Sequence, residues 1–120
     1  VPLKFFDKTV EKIRGRTDKP ILLQEFGIAT TGNDKHHTEE NQERYVREIL
    51  ERGSKENLDG FIVWKFNDHP EDLKNLDIPW GRVYDNESFK EAAFHQGILR
   101  TDYSKKPVAY VVQQYYKQIL

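Results

Sequence analysis

The sequence predicts an α/β fold built on parallel strands, and three observations predict it. Two short runs, Ile21-Leu22-Leu23 and, but for Lys65, Gly60 through Phe66, are continuously apolar instead of alternating, the pattern of strands covered on both faces. Stretches with apolar residues at helical spacing come before, between and after them. The resulting order is helix, strand, helix, strand, long loop, helix. It implies right-handed βαβ units, because a crossover helix returns the chain to the starting end of a parallel neighbour.

Taken in order, Leu3, Phe6, Val10 and Ile13 line one face of a first helix that ends near Gly15. Pro20 opens the first strand, at the one strand position where a missing N–H is tolerated. Ile21 to Leu23 then run into Gln24-Glu25-Phe26-Gly27, and the polar stretch Thr30 to His37 reads as a loop. Thr38 is placed to N-cap a second helix, with Glu39 and Glu40 in the first turn where the helix dipole favours carboxylates. Tyr45, Val46, Ile49 and Leu50 form its buried stripe, and Gly53 is the expected C-cap. The region from Asn67 to Gln96, with Pro70, Pro79 and Gly81, reads as one long irregular connection, and connections of such length are often functional. Gly97-Ile98-Leu99 is a candidate short extended piece. Pro107 suits the first turn of a last helix whose apolar face is Val108, Val111, Val112, Tyr115, Tyr116 and Ile119.

The 120 residues are read as one unit, 1–120. With 32% charged and 37% apolar residues the core is lean, but seven Phe, six Tyr and two Trp argue against disorder. The net charge of −1 comes with no basic stripe, so a nucleic-acid partner is not expected. No apolar run approaches the ~20 residues that cross a bilayer, so no membrane partner is expected either. The chain has no Cys, which removes disulfide and thiol chemistry and leaves the compartment open. His36 and His37 are adjacent, His69 and His95 stand alone, and no metal-ligand spacing or phosphate cradle occurs. No metal or cofactor is therefore expected. The first residue is Val1, not Met, and the chain is expected to be a piece of something longer.

Glu25 is the sharpest chemical feature. It stands at the C-terminal end of an apolar strand, where α/β folds place their active sites, and Gly27 two residues on lets the backbone turn. From position alone it is equally a residue that caps the next loop or pairs with a Lys on a neighbouring strand. Trp64 stands at the equivalent place on the second strand, followed by Asn67, Asp68 and His69. An indole face can carry the apolar face of a sugar, and amide, carboxylate and imidazole groups can bind its hydroxyls. Alone, Trp64 reads as core.

Together these residues resemble a known family. Pro20 to Gly27, with a Glu before an aromatic and a Gly, resembles the seventh strand of clan A glycoside hydrolases. Asp59 to Asp68 resembles their eighth strand, which ends in a Trp under the sugar. Gly97-Ile-Leu-Arg-Thr-Asp102, with Lys105-Lys-Pro-Val-Ala-Tyr110, resembles the closing segment, and Thr38-Glu-Glu-Asn-Gln42 the start of the intervening helix. Within the clan the set is most similar to the β-galactosidase, β-glucuronidase and β-mannosidase family. The resemblance implies the C-terminal segment of a (β/α)8 TIM barrel, strands seven and eight with flanking helices, incomplete on its own. It also implies a retaining glycosidase in which Glu25 is the nucleophile. Trp64, Asn67, Asp68 and His69 would line the carbohydrate site, with Trp80 and Tyr84 in outer subsites.

Two departures accompany it. The clan's acid/base Glu follows an Asn at the end of the fourth strand, and a retaining enzyme needs two carboxyl groups ~5–5.5 Å apart. Asn86-Glu87 copies the dipeptide after the eighth strand, where it reads as coincidence. This chain therefore supplies one carboxylate of the pair, and is expected to be inactive alone and to associate with the missing N-terminal barrel portion or with itself. Asp68, Asp77 or Glu87 would have to replace the acid/base if the chain were active unaided. The second departure is His95-Gln96, where β-glucuronidases carry an Asn-x-Lys pattern serving a sugar carboxylate. Its absence counts against a uronic acid. The alternative to an enzyme is a non-catalytic carbohydrate-binding or interaction module derived from a barrel.

Overall fold

A computed structural model of the chain describes residues 3–31, 34–70, 72 and 87–119. A 3-10 turn, Leu3–Phe5, leads into α1, Phe6–Arg14; then follow β1, Leu22–Phe26, α2, Glu39–Lys55, β2, Gly60–Val63, α3, Glu87–Phe94, and α4, Pro107–Ile119. No helix among the described residues is long and apolar enough to cross a membrane.

The helix signals hold at their starts. Thr38 Oγ1 accepts the Asn41 N–H at 3.1 Å, so the expected cap forms, and Pro107 is the first residue of α4. In α1, Val10 is the buried residue, whereas Ile13 faces out. The end of α2 differs from expectation. The helix runs through Gly53 to Lys55, with Glu56 as its C-cap. Gly53 is buried against Phe61, and a Cβ there would strike the Phe61 ring. The residue is a glycine because an aromatic ring packs on it, not because the helix stops there.

β1 and β2 pair in parallel, Leu22 opposite Gly60, Leu23 opposite Phe61 and Gln24 opposite Ile62. The entry to this ladder is clamped. Asp59 Oδ2 accepts the Ile21 N–H at 2.7 Å, and the Asp59 N–H donates to Ile21 O at 3.0 Å. Arg14 lies 3.6 Å from the Asp59 carboxylate and donates to Asn57 O at 2.6 Å. β2 stops at Val63, short of the expected Phe66, because the chain then changes partner. Lys65 N–H donates to Gln96 O at 3.2 Å, Ile98 N–H to Lys65 O at 2.9 Å, and Asp68 N–H to Leu99 O at 2.9 Å. Gly97 to Leu99 is thus the extended piece the sequence suggested, bridged in parallel to Asn67. The long connection is not irregular throughout, since α3 lies within it.

The sheet is covered on one face. Phe26 and Phe61 join Val46, Ile49 and Leu50 of α2 and Val108, Val111 and Val112 of α4 in the core, with Leu23 and Val63 packed against it. Phe61 is its hub, its ring edge-on to Phe26 at 6.2 Å and to Tyr115 at 5.4 Å. Burial of each such side chain contributes about 1.5–3 kcal/mol. Among the described residues the other face differs from the expectation of strands covered twice: Leu22 and Ile62 remain 56% and 44% exposed.

Candidate active site

Glu25 and Trp64 lie at the same end of neighbouring parallel strands, and the local sequence explains how. In a strand the side chains alternate, so with Leu23 turned to the core, Glu25 would follow it inward. Instead Phe26 takes the core position, opposite Val63, and the register slips between Gln24 and Phe26. Glu25 is the extra residue of a β-bulge, with φ of 59°. A left-handed backbone at a residue with a long side chain costs on the order of 1–3 kcal/mol, and bulges of this kind re-aim a side chain beside active sites. Glu25 is exposed, and among the described residues its carboxylate has no hydrogen-bond or ion-pair partner.

Gly27 serves close approach. A Cβ there would fall on the Trp64 carbonyl oxygen, and without it the Trp64 N–H donates to Phe26 O at 2.9 Å. Gly27 does not have a left-handed φ, so the turn it was expected to provide is not its reason for being glycine. Trp64 keeps 45% of its surface exposed, and its Nε1–H donates to Gln96 Oε1 at 2.9 Å. The Trp64–Lys65 peptide is cis.

The three residues that were grouped with Trp64 separate. Asp68 turns inward and is 4% exposed. Its carboxylate accepts from Gly97 N–H at 2.8 Å and meets Lys106 Nζ at 2.8 Å, with His95 Nδ1 at 3.7 Å. Lys106 is 1% exposed and also donates to Thr30 Oγ1 at 2.8 Å. A buried carboxylate with this many partners is an internal brace, not a surface that reads hydroxyls. Asn67 uses its Nδ2 on Asp68 O at 2.9 Å. His69 is exposed, with its ring edge-on to Phe94 at 5.2 Å. Partial burial pushes its pKa below the ordinary value, Lys65 pushes it further, and Asp68 opposes both. The shift favours the neutral imidazole. Trp80, Tyr84, Asp77 and Asn86 lie outside the described residues, and Glu87 opens α3.

Residues that sequence reasoning passed over hold this end together. Gln42 is 1% exposed, and its Nε2 donates to Ile28 O at 3.1 Å and Gly97 O at 3.1 Å, tying α2 to the chain beyond both strands. A polar residue in register with the apolar stripe of Val46, Ile49 and Leu50 was the available signal. Thr30 N–H donates to His95 O at 2.9 Å. Lys106, in a run of two lysines, reads in sequence as solvated, and nothing local marks it as buried. Among the described residues no group of three or more His, Asp or Glu side chains is gathered to hold a metal ion.

No protein-family model and no curated protein matches the chain. Solved structures do share its fold. A GH2 β-galacturonidase from Eisenbergiella tayi superposes with a TM-score of 0.67 when bound to glycerol, at 22% identity over 98% of this chain. Bound to galacturonate it superposes at 0.70, with 21% identity over 98% of this chain. A Faecalibacterium prausnitzii β-glucuronidase superposes at 0.62, with 17% identity over 92% of this chain and 18% of its own. At these identities the likeness is one of fold. The chain spans 21% of the length of either galacturonidase structure.

Proposed function

We propose that this chain is the nucleophile-bearing C-terminal part of a (β/α)8-barrel β-glycosidase that works with retention. The observation that carries the reading is the Glu25 bulge, a carboxylate without a partner among the described residues, at a strand end beside the half-exposed Trp64 indole. The likeness of fold to GH2 enzymes supports it. Glu25 would attack the anomeric carbon of a sugar lying on Trp64, forming a glycosyl ester. A second carboxyl group, outside this chain, would give its proton to the departing glycosidic oxygen. It would then take a proton from the water that breaks the ester and frees Glu25. Asn67 and His69 stand close to Trp64 in sequence as hydrogen-bonding groups, with Asp68 between them bound to Gly97 and Lys106.

The bare sheet face supports the companion proposal about partners. Exposed Leu22 and Ile62 would pack against the remaining strands of the barrel, which typically takes about 250 residues in all, or against a second copy. Light scattering on the 120-residue chain, with an assay on aryl β-glycosides, tests this; a monomer that hydrolyses them unaided contradicts it.

The nucleophile is tested in the intact protein. Glu25→Gln keeps the shape and removes the attacking oxygen, so turnover is expected to fall about a thousand-fold or more with the fold retained. A 2-fluoro-glycoside is expected to label Glu25 covalently. Near-normal turnover in the Gln variant overturns the assignment of Glu25.

A further inference from the structure

Glu25 and Trp64 belong to two different strand ends, and the chain beyond both is held by one side chain from outside the sheet. Gln42 lies in the buried stripe of α2, with Val46, Ile49 and Leu50, and is 1% exposed. Its Nε2 meets three backbone carbonyls: Ile28 O at 3.1 Å, Gly97 O at 3.1 Å and Gln96 O at 3.4 Å. A carbonyl only accepts, so the NH2 end of the amide faces them and shares its N–H groups among them. Ile28 lies just beyond β1 and the Glu25 bulge. Gln96 and Gly97 open the segment that pairs with the chain beyond β2. Gln96 O also accepts from Lys65 N–H at 3.2 Å, next to Trp64, and Ile98 N–H donates to Lys65 O at 2.9 Å. Gly97 is fixed from its other side, where its N–H donates to Asp68 Oδ1 at 2.8 Å. One amide thus clamps the chain that leaves the Glu25 strand to the segment that holds the chain leaving the Trp64 strand.

We propose that Gln42 is a positioning residue, whose clamp sets the separation of the Glu25 carboxylate and the Trp64 indole. The inference rests on the reading of those two residues as nucleophile and sugar platform. Burial alone does not call for an amide here. An apolar side chain would continue the stripe of Val46, Ile49 and Leu50 against the core, but would offer no donor to Ile28 O or Gly97 O. Those bonds are directional, and they reach segments 14 and 55 residues away along the chain. A nucleophile must meet the anomeric carbon of a sugar lying on the indole, and an error of about 1 Å in such a placement costs about a hundred-fold in rate. Thr30 ties the same two segments a second time, its N–H donating to His95 O at 2.9 Å. Loss of the Gln42 clamp therefore loosens the spacing without parting the segments.

The test reads position and turnover separately, in the intact protein. With 15N-tryptophan labelling, the Trp64 indole cross-peak is assigned by its loss in Trp64→Phe. Gln42→Leu removes the clamp, so this peak is expected to move in the absence of sugar. On an aryl β-glycoside kcat is expected to fall about ten- to a hundred-fold, with KM changed by less than about three-fold. Val111→Ala weakens the same core without touching the clamp, so its peak and its kcat should stay as in wild type. Gln42→Glu keeps the shape. Ionised, the new carboxyl group gives the carbonyls no donor; protonated, it has one O–H to give. Peak and kcat of this variant should therefore return toward wild type, compared at the same pH, as the pH falls. A Trp64 peak unmoved in Gln42→Leu, or moved equally in Val111→Ala, overturns the clamp. A moved peak with unchanged kcat overturns the positioning role. Should Gln42→Leu fail to fold, Gln42→Glu decides, and a lack of acid rescue overturns the proposal. A wild type that turns over no β-glycoside overturns instead the reading of Glu25 and Trp64, while the peak still decides whether Gln42 holds the two strand ends.

Discussion

Gly27 and Trp64 face each other across the ends of β1 and β2 so closely that the Trp64 carbonyl oxygen occupies the space where a Cβ of residue 27 would go. The contact is backbone on backbone, so no side-chain rotation relieves it. Gly27→Ala is expected to push the two strand ends apart and to lower stability by about 1–3 kcal/mol. Gly15→Ala is the control: its new Cβ would lie 3.5 Å from the nearest atom, and its effect should stay within about 1 kcal/mol. Urea denaturation of both variants checks the contrast, and equal effects would remove the argument from close approach.

Glu25 holds a φ of 59° at the bulge between Gln24 and Phe26. Asparagine tolerates that backbone far better than glutamate does. Glu25→Asn should therefore gain on the order of 0.5–1 kcal/mol of stability and, if Glu25 is the proposed nucleophile, abolish turnover of the intact protein. A variant that loses stability would show that the bulge is not strained.

Asp68 and Lys106 form a buried pair at 2.8 Å. Removing one partner leaves the other charge without compensation, so Asp68→Ala should cost about 3–5 kcal/mol. Replacing both with apolar residues, Asp68→Leu with Lys106→Met, should recover most of that loss. A double variant as unstable as the single would mean that the hydrogen bonds to Gly97 and Thr30, not the paired charges, carry the brace.

Lys65 gives the stability a pH dependence. Burial lowers its pKa from 10.5 to about 8, with Asp68 drawing it back up and Lys106 pressing it down. The folded value lies below the unfolded one, so between about 8 and 10.5 the unfolded chain binds more protons and stability rises with pH. Below about 8 the full cost of holding the charge stands. Lys65→Met should be more stable than wild type by about 1–2 kcal/mol at pH 7, a figure discounted for the part of the side chain that water still reaches. Denaturation measured from pH 7 to 10 should show that advantage shrinking as wild type loses its proton. A difference constant with pH would rule Lys65 out as the source.

The order of elements apart from α3, and the starts of α2 and α4, were legible in the sequence because they follow from local chemistry: a threonine oxygen for an N–H, a proline in a first turn, apolar spacing along one face. The pairing of β1 with β2, and Glu25 beside Trp64 at one end of it, followed from the strand–helix–strand order. Other features depend on atoms far apart along the chain, and only the tertiary structure decided them. Gly53 looks like a helix stop until Phe61 is seen packed on it, and Gly27 looks like a turn until the Trp64 carbonyl is seen beside it. Asp68 follows Trp64 closely in sequence and reads as a ligand group, yet it is buried on Lys106, whose own sequence context marks it as solvated. Gln96 carries no local signal, since its partner is an indole edge brought to it by the pairing of residues 65–68 with 96–99. Sequence records what each residue prefers among its neighbours along the chain; burial, close approach and hydrogen-bond partners are set by neighbours in space, and those exist only once the chain has folded.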